Sequence, residues 1–304
     1  MAVLENTMNA SNYLQVADQD FVNIFGNQIE SLQEMLGIQR ATKMNIGDTI
    51  KTYKSSVTLA DGKVAAGDVI PLSTTKREPD QTYTLEYNKY RKLVPAEEIQ
   101  KRGFAVAVAD TDDLMTRQMQ ENIRNDLFTQ VKSTKKTADA FGVQDGFAKA
   151  WGNVNTAFAG EGAGTIVFVN PLDVSDYLSK QNISVQTAFG LTYLTNFMNT
   201  TVTIVTSQIP KGTMYATAPE NLNLAYANVS GGEIGKAGFG FTTDTTGIIG
   251  ITREVEKDRM SVSTYAMYAI KLFAERTDGV FKFTIKEAPK ETTKEAPKET
   301  TPAA

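Results

Sequence analysis

The feature that most constrains this chain is a long stretch, residues 46–93, that is patterned for strands but provides little for a strand pair to pack on. Residues 49–54 and 82–87 are rich in β-branched and aromatic side chains with partial alternation, which favours two strands. Turn signals separate them at Asp61-Gly62, Gly67-Asp68 and Glu78-Pro79-Asp80. An isolated two-stranded ribbon is marginal in water. The segment therefore predicts an exposed β excursion that needs a further surface, such as another subunit, to hold it.

Two helices are predicted on either side of this excursion. Residues 20–36 carry a helical stripe that ends at Gly37, within an N-terminal region of residues 1–40 that we interpret as an extended arm with short helices. The strongest helix pattern covers residues 110–136, with Thr111 or Asp112 as its cap. Its apolar stripe consists of Leu114, Met115, Met119, Ile123, Leu127 and Val131. This stripe is narrow for so long a helix, which favours packing across a sheet over any cofactor role.

The second half of the chain mixes strands and helices. A helical stretch over residues 141–151 leads into a glycine-rich segment at 160–164. Residues 165–169 and 201–205 are continuous apolar runs typical of buried strands, and Asn170-Pro171 opens a helix to about residue 180. Residues 260–270 and 279–285 predict two long strands, which the Asp278-Gly279 turn would join as a hairpin. A helix over residues 265–273 is the alternative.

Composition argues against the commonest catalytic chemistries. The chain has no Cys and no His, which removes the thiolate nucleophile, the imidazole base and the usual zinc ligands. The glycines at 160–164 precede a strand and lack the Lys-Ser/Thr ending of a phosphate loop. The three acids Asp110, Asp112 and Asp113 suit a helix start better than a metal site. We predict no enzyme activity, no cofactor and no metal.

Charge is distributed unevenly along a chain of net charge −4. Residues 1–39 contain five acids and no Lys or Arg, whereas residues 40–102 contain twelve basic and eight acidic residues. Such patches can steer association between copies of a chain. The candidate contacts between subunits are Asp18, Asp20, Lys89, Arg91 and Lys92. The alternative is that both segments face solvent without a partner.

The C-terminal tail has a composition unlike the rest of the chain. Residues 286–293 repeat immediately as residues 294–301, with Lys, Glu, Pro and Thr but no large apolar side chain. A segment of this kind cannot bury a core, so disorder is predicted. Duplication of a linker explains the repeat, and a tail that binds a partner is the less favoured alternative.

The order of these elements resembles that of the Hong Kong 97-type capsid proteins of tailed bacteriophages. Residues 165–174 are similar to the strand and helix that open the A-domain of that family, and residues 209–226 are similar to an A-domain segment in capsid subunits of phages of Gram-positive bacteria. The resemblance covers roughly residues 15–285. It implies an α+β fold with an N-terminal arm (1–45), an extended β-hairpin E-loop (46–93), a P-domain (94–164) containing the long spine helix (about 110–136), mainly an α/β A-domain (165–255), closing P-domain strands (256–285) and the tail (286–304).

The resemblance also implies a function in assembly. Pentamers and hexamers of the subunit would form an icosahedral shell around phage double-stranded DNA. The shell would contact the packaged DNA only weakly and without sequence specificity. There is no room for the cleaved N-terminal scaffolding domain of many relatives, so a separate scaffolding protein and a portal are the expected partners. No segment has the ~20 apolar residues of a membrane helix, and the N-terminus lacks the pattern of a secretory signal. We expect synthesis in the cytoplasm of a host bacterium and residence in the virion.

Three alternatives remain at this point. An encapsulin-like nanocompartment would share the fold and enclose a cargo protein. A phage tail-tube or decoration protein would form tubes or bind to an existing shell. A carboxylate-dependent hydrolase is the alternative from a different class, and no convergent set of side chains favours it.

Overall fold

Two long helices and four β-sheets organise the chain in a computed structural model, which describes residues 10–38, 40–65, 67–158, 164–180 and 185–286. The helices within these residues are α1 (Ala10–Met35), α2 (Ala96–Arg102), α3 (Phe104–Lys132), α4 (Gly142–Ala157), α5 (Pro171–Leu178) and α6 (Gly232–Lys236). The strands are β1 (Ala41–Met44), β2 (Thr49–Thr58), β3 (Thr74–Thr84), β4 (Asn88–Pro95), β5 (Lys136–Phe141), β6 (Ile166–Val169), β7 (Gln186–Ala188), β8 (Leu191–Thr195), β9 (Val202–Val205), β10 (Thr213–Thr217), β11 (Leu222–Ala227), β12 (Thr242–Thr243), β13 (Ile249–Glu256), β14 (Ser261–Tyr268), β15 (Ile270–Ala274) and β16 (Phe281–Lys286).

The strands of each sheet come from distant parts of the sequence. The largest sheet has the order β5-β16-β10-β6-β9-β8-β7, and a four-stranded sheet has the order β12-β13-β14-β4. A three-stranded sheet has the order β1-β11-β15, and β2 pairs only with β3. Only the β2–β3 pair therefore stands apart as a ribbon among the described sheets.

The main core lies between the two long helices and the sheets. In β6, Ile166 and Phe168 face the core that α1 and α3 cover, whereas Val167 and Val169 face a second core beneath α4 and α5. Burial on both faces explains why this strand is a continuous apolar run and does not alternate. The predicted strand and the helix after it are confirmed, and the Asn170 side chain caps α5 by accepting the Leu172 N–H at 2.9 Å.

Helix α1 is one long helix, so the prediction of short helices within the N-terminal arm is wrong. Its apolar side chains from Phe21 to Leu36 form one buried stripe, although Ile24 from the predicted stripe is 53% exposed. Gly37 adopts a φ of 60° and ends the helix as predicted, with the Ile38 N–H donating to the Gln33 carbonyl at 2.9 Å.

Helix α3 confirms the predicted long helix but begins earlier than expected. It starts after Gly103, whose φ is 84°, so Thr111 and Asp112 lie inside the helix and not at its cap. The Thr111 hydroxyl instead donates to carbonyls of the preceding turn. The stripe from Met119 to Val131 is buried, whereas Leu114 is 64% exposed and was wrongly assigned to the core.

The predicted hairpin around Asp278-Gly279 is wrong, and so is the alternative helix over residues 265–273. β14 pairs with β13 and β4, β15 pairs with β11, and β16 pairs with β10 and β5. The Asp278-Gly279 pair lies in a short 3-10 turn that connects two different sheets. A turn signal indicates where the chain reverses, but it does not fix which strand is the neighbour.

The excursion is a real ribbon, but it ends before the predicted boundary at residue 93. β2 and β3 pair antiparallel from Thr49↔Thr84 to Thr58↔Thr74, with one irregularity near Thr52. Residues 88–95 form β4, which belongs to the four-stranded sheet. Pro79 is tolerated within β3 because each strand of a two-stranded sheet has an open edge. The predicted glycine segment at residues 160–163 and the tail from Glu287 lie outside the described residues.

Candidate assembly surfaces

The β2–β3 ribbon presents an apolar tip to solvent. From Thr49 to Thr58 it runs nine residue steps, which corresponds to about 30 Å at ~3.3 Å per residue. Five aliphatic side chains near its far end are exposed, namely Val57, Leu59, Val69, Ile70 and Leu72, with Leu72 at 94%. Scattered apolar side chains on a surface are ordinary, but a cluster at the end of a projection marks an interaction site.

The root of the ribbon is anchored to the body by Asp80. Its carboxylate accepts the Thr277 hydroxyl at 2.6 Å and the Thr277 N–H at 3.2 Å, and it pairs with the Lys54 ammonium at 2.9 Å. Burial raises the pKa of Asp80, but the hydrogen bonds from Thr277 and Lys54 outweigh it, so the pKa lies below its ordinary value. Tyr83 adds an apolar contact, with its ring 5.2 Å from that of Phe273.

A buried cluster of four charged side chains joins the long helices to the four-stranded sheet. Lys92 of β4 and Arg253 of β13 both lie opposite Thr264 of β14, so the two cations share one face of the sheet. Arg253 pairs with Asp18 of α1 and, at 2.9 Å, with Asp112 of α3. Lys92 pairs with Asp112 and donates to the Thr111 hydroxyl at 2.8 Å.

Burial and ion pairing oppose each other in this cluster: burial prevails at Asp18 and Lys92, whereas for Arg253 burial is outweighed by Asp112 and Asp18, which raise its pKa. Burial raises the pKa of Asp18 despite its hydrogen bond from Arg253, and burial lowers the pKa of Lys92 despite its hydrogen bond to Asp112. The side chain of Arg253 is only 2% exposed, and its Nη1 has no hydrogen-bond partner among the described residues. The charges balance as two acids and two bases, which is the condition for tolerating them inside a protein.

The structure divides the five predicted contact residues between two faces of the four-stranded sheet. Asp18 and Lys92 form part of the buried cluster within one subunit. Asp20 is exposed on α1, above the same face. Lys89 and Arg91 are exposed and point to the opposite face, where Arg91 pairs with Glu256 and lies 5.4 Å from the centre of the Tyr265 ring. The prediction of contacts between subunits therefore rests on Asp20 and Lys89.

Sequence reasoning missed the roles of Asp80, Asp112, Arg253 and Glu256. The sequence did contain a signal for Arg253. Side chains alternate between the two faces of a strand, so Arg253 lies on the same buried face as Ile249 and Ile251. A cation at an inward position needs carboxylate partners. Its partners, however, lie on two helices far away in sequence, and strand alternation cannot identify them.

The described residues also bear on metal binding and on membrane insertion. No group of three or more Asp or Glu side chains in them is arranged to hold a metal ion. Among their helices, none has the length and apolar character required to cross a membrane.

The comparisons with known proteins concern fold alone. No family model matches the sequence, and no curated protein matches it. Among solved structures, the capsid of the cyanophage P-SCSP1u aligns over 84% of this chain and 88% of its own, with a TM-score of 0.53 at 6% identity. The capsid of an empty GTA particle covers 83% and 90%, with a TM-score of 0.52 at 9% identity. The holo-SrpI encapsulin complex from Synechococcus elongatus covers 83% and 86%, with a TM-score of 0.51 at 9% identity.

The chain has the Hong Kong 97-type capsid fold. The α+β class and the resemblance stated from the sequence are thereby confirmed. In this fold α3 is the long spine helix and the β2–β3 ribbon is the extended E-loop. The seven-stranded sheet with α4 and α5 forms the α/β part of the subunit.

Proposed function

We propose that this chain is the major capsid protein of a tailed bacteriophage, which assembles into pentamers and hexamers of an icosahedral shell around double-stranded DNA. The observation that carries the proposal is the E-loop, whose paired strands run about 30 Å and whose apolar tip none of the described residues covers. The fold it shares with phage capsids gives independent support.

The tip provides a driving force for assembly. Burying one aliphatic side chain contributes about 1.5–3 kcal/mol, so the five exposed at the tip offer about 8–15 kcal/mol before ordering costs. A tip that packs on the body of a neighbour makes a head-to-tail contact, because the two surfaces that meet are different. Contacts of that type close into rings when the rotation between subunits permits, as a shell requires.

The same proposal assigns the parts of the chain and its partners. The arm would span residues 1–45, the E-loop 46–93, the P-domain 94–164 and 256–285, the A-domain mainly 165–255, and the tail 286–304. The last residues of that E-loop range belong to β4 (Asn88–Pro95), which pairs with β14 of the closing strands, and this supports moving the start of the P-domain from residue 94 to residue 88. A separate scaffolding protein and a portal would serve assembly, and no catalytic role is proposed. The mature location would be the virion, after synthesis in the cytoplasm of a host bacterium.

A second candidate is the shell of an encapsulin-like nanocompartment. The observation that favours it is the likeness to the encapsulin complex, at a TM-score of 0.51. Such a shell would enclose a cargo protein and would need no portal.

Electron microscopy of the expressed full chain, with and without a scaffolding partner, tests the proposal. Closed icosahedral particles are expected, and particles recovered from the native source should contain DNA. Replacing Val69, Ile70 and Leu72 with Ser should abolish closure, whereas Ile70→Val, which keeps the tip apolar, should not. Tubes would refute the proposal, and shells that contain a cargo protein in place of DNA would favour the nanocompartment. Folded subunits that remain monomeric with every scaffolding partner would also refute it.

A further inference from the structure

The face of the four-stranded sheet opposite α1 and α3 carries an aromatic groove. Its floor contains Tyr265 and Met267 of β14, and Phe239 and Phe241 of the segment before β12 form one wall. The cavity has a volume of about 730 Å³. Phe239 is 60% exposed, and its ring lies 5.8 Å from that of Phe241. Aromatic surface of this kind is usually covered by a partner.

One cation and one anion flank the apolar floor. Lys89 of β4 and Glu254 of β13 both line the groove, and both are exposed. In the strand register Lys89 lies opposite Met267, and Thr252 lies opposite Tyr265. Glu254 follows Thr252 by two residues and therefore lies on the same face of the sheet. The groove therefore offers flat rings between charges of opposite sign.

We propose that this groove binds the proline-containing repeat of the C-terminal tail. The repeat presents Glu-Ala-Pro-Lys-Glu twice, at residues 287–291 and 295–299. Each copy has a small apolar Ala-Pro pair between acidic and basic residues, which matches rings flanked by Lys89 and Glu254. Proline-containing segments dock in aromatic-lined grooves because their extended conformation loses little entropy on binding.

The size of the groove favours a single extended segment over the tip of a second copy's E-loop. Cavities of about 300–1,000 Å³ accommodate a compact ligand. The E-loop tip is two strands wide, with the strands about 4.8 Å apart before side chains are added. The tip also exposes Asp61, Lys63 and Asp68 beside its aliphatic side chains, so its width, and not its charge, is what argues against it as the occupant.

The length of the tail allows the contact. The described chain ends at Lys286, the last residue of β16, and residues 287–304 follow. At about 3.1 Å per residue in a polyproline conformation, the second copy of the motif begins roughly 28 Å beyond Lys286. This exceeds the radius of gyration of about 19 Å expected for a compact chain of 304 residues. The tail can therefore reach a groove on its own subunit or on a neighbour.

Tethering makes even a weak site sufficient. A short flexible linker holds its ligand at an effective concentration on the order of millimolar. An intrinsic Kd as weak as ~1 mM would thus give substantial occupancy. The first copy of the motif begins only one residue beyond Lys286, so the second copy, residues 295–299, is the one with the reach to occupy the groove.

Photo-cross-linking in the full-length chain tests this inference. A diazirine amino acid placed at Ala296 should cross-link mainly to peptides that contain Phe239, Phe241 or Tyr265, as read by mass spectrometry. Phe239→Ala with Phe241→Ala should lower that yield at least about fivefold, the loss expected when aromatic stacking is removed from such a groove. Pro289→Ala with Pro297→Ala should lower it as well. Trp151→Ala removes an aromatic ring that is 50% exposed on α4, outside the groove, and should leave the yield unchanged.

Three results would overturn the inference. Cross-links scattered over the surface would show no defined site. A yield unaffected by the groove variant, with circular dichroism showing the fold intact, would place the tail elsewhere. Efficient cross-linking into the groove from a probe at Ile70 would assign it to the E-loop of a second copy. All three results are read as cross-links and do not require a closed shell, so their failure is distinct from a failure to form shells.

Discussion

Replacing Arg253 with Met is the sharpest single test of how the subunit is held together. The Arg253 side chain is 2% exposed and pairs with Asp18, which is 9% exposed, and with Asp112, which is 12% exposed. The change removes both ion pairs and leaves two buried carboxylates facing Lys92 alone. Breaking a buried pair by removing one partner costs about 3–5 kcal/mol, because the remaining charge stays desolvated. Met has a similar length, so the loss of packing volume is small.

Urea unfolding of the isolated subunit, followed by circular dichroism, measures this loss. With an m value of about 3 kcal/mol/M, the midpoint should fall by roughly 1 M or more. Arg259→Met is the matched control, since Arg259 is 59% exposed and lies 3.9 Å from Glu256 at the surface. Exposed pairs of this kind contribute about 0–1 kcal/mol, so the control should shift the midpoint by at most ~0.3 M.

A double variant separates loss of the pair from loss of packing. Adding Asp18→Asn to Arg253→Met removes one of the stranded charges, so the double variant should be more stable than the single one. Raising salt should weaken the control effect and leave the Arg253 effect largely unchanged, because buried pairs are poorly screened. Equal midpoint shifts for Arg253→Met and Arg259→Met, or no recovery in the double variant, would refute the buried-cluster reasoning.

Four other predictions concern the E-loop, the tail and charge. Asp80→Asn should destabilise the E-loop root by about 1–3 kcal/mol at neutral pH. Because the folded pKa of Asp80 is lowered, its stabilisation is present above the ordinary Asp pKa and lost as pH falls through the lowered value, so urea midpoints of the variant and the parent should converge in acid. Hydrogen exchange over residues 50–85 should be fast in the isolated subunit and slow in the shell, and equal protection would count against an E-loop clamped by neighbours. Truncation after Ile285 should still permit shell closure, as imaged by electron microscopy, and loss of shells with a folded subunit would contradict this. Lys89→Glu should slow assembly at low salt, as followed by light scattering over time. Adding Asp20→Lys to the same chain should partly restore the assembly rate. If it does not, both residues are solvated charges without a partner.

Local signals explain which elements could be predicted from the sequence. β6 and α5 were found because each is marked within a few residues, by a continuous apolar run and by the Asn170-Pro171 pair that caps the helix. The E-loop was found because its composition differs from that of its surroundings. The overall fold could then be predicted from the order of the elements, although the sequence identity to the three compared structures is only 6–9%.

Features that depend on tertiary partners escaped prediction. The strand after residue 260 passes from the four-stranded to the three-stranded sheet near Ala269, and no local pattern distinguishes this from a long strand in a single hairpin. The start of α3 was missed because acids at residues 110–113 imitate a helix N-terminus. In the structure Asp112 serves instead as the partner of two buried cations, a role that only the folded chain reveals.

For some of the charged residues, the uneven distribution of charge along the sequence is explained by contacts inside the subunit. The acidic N-terminal segment contributes Asp18, and the basic segment contributes Lys92, and both belong to the cluster around Arg253. Complementary segments thus attract as the sequence suggested, but for these two residues the attraction fixes α1 onto the sheet of its own chain. A helix held in this way is positioned before any neighbour arrives. Under the proposed function, contacts between subunits would be left to the exposed charges Asp20 and Lys89, whose contributions are small and screened by salt, and to the apolar E-loop tip, whose burial would supply the larger free energy. Salt should consequently change the rate of assembly far more than the stability of the finished shell.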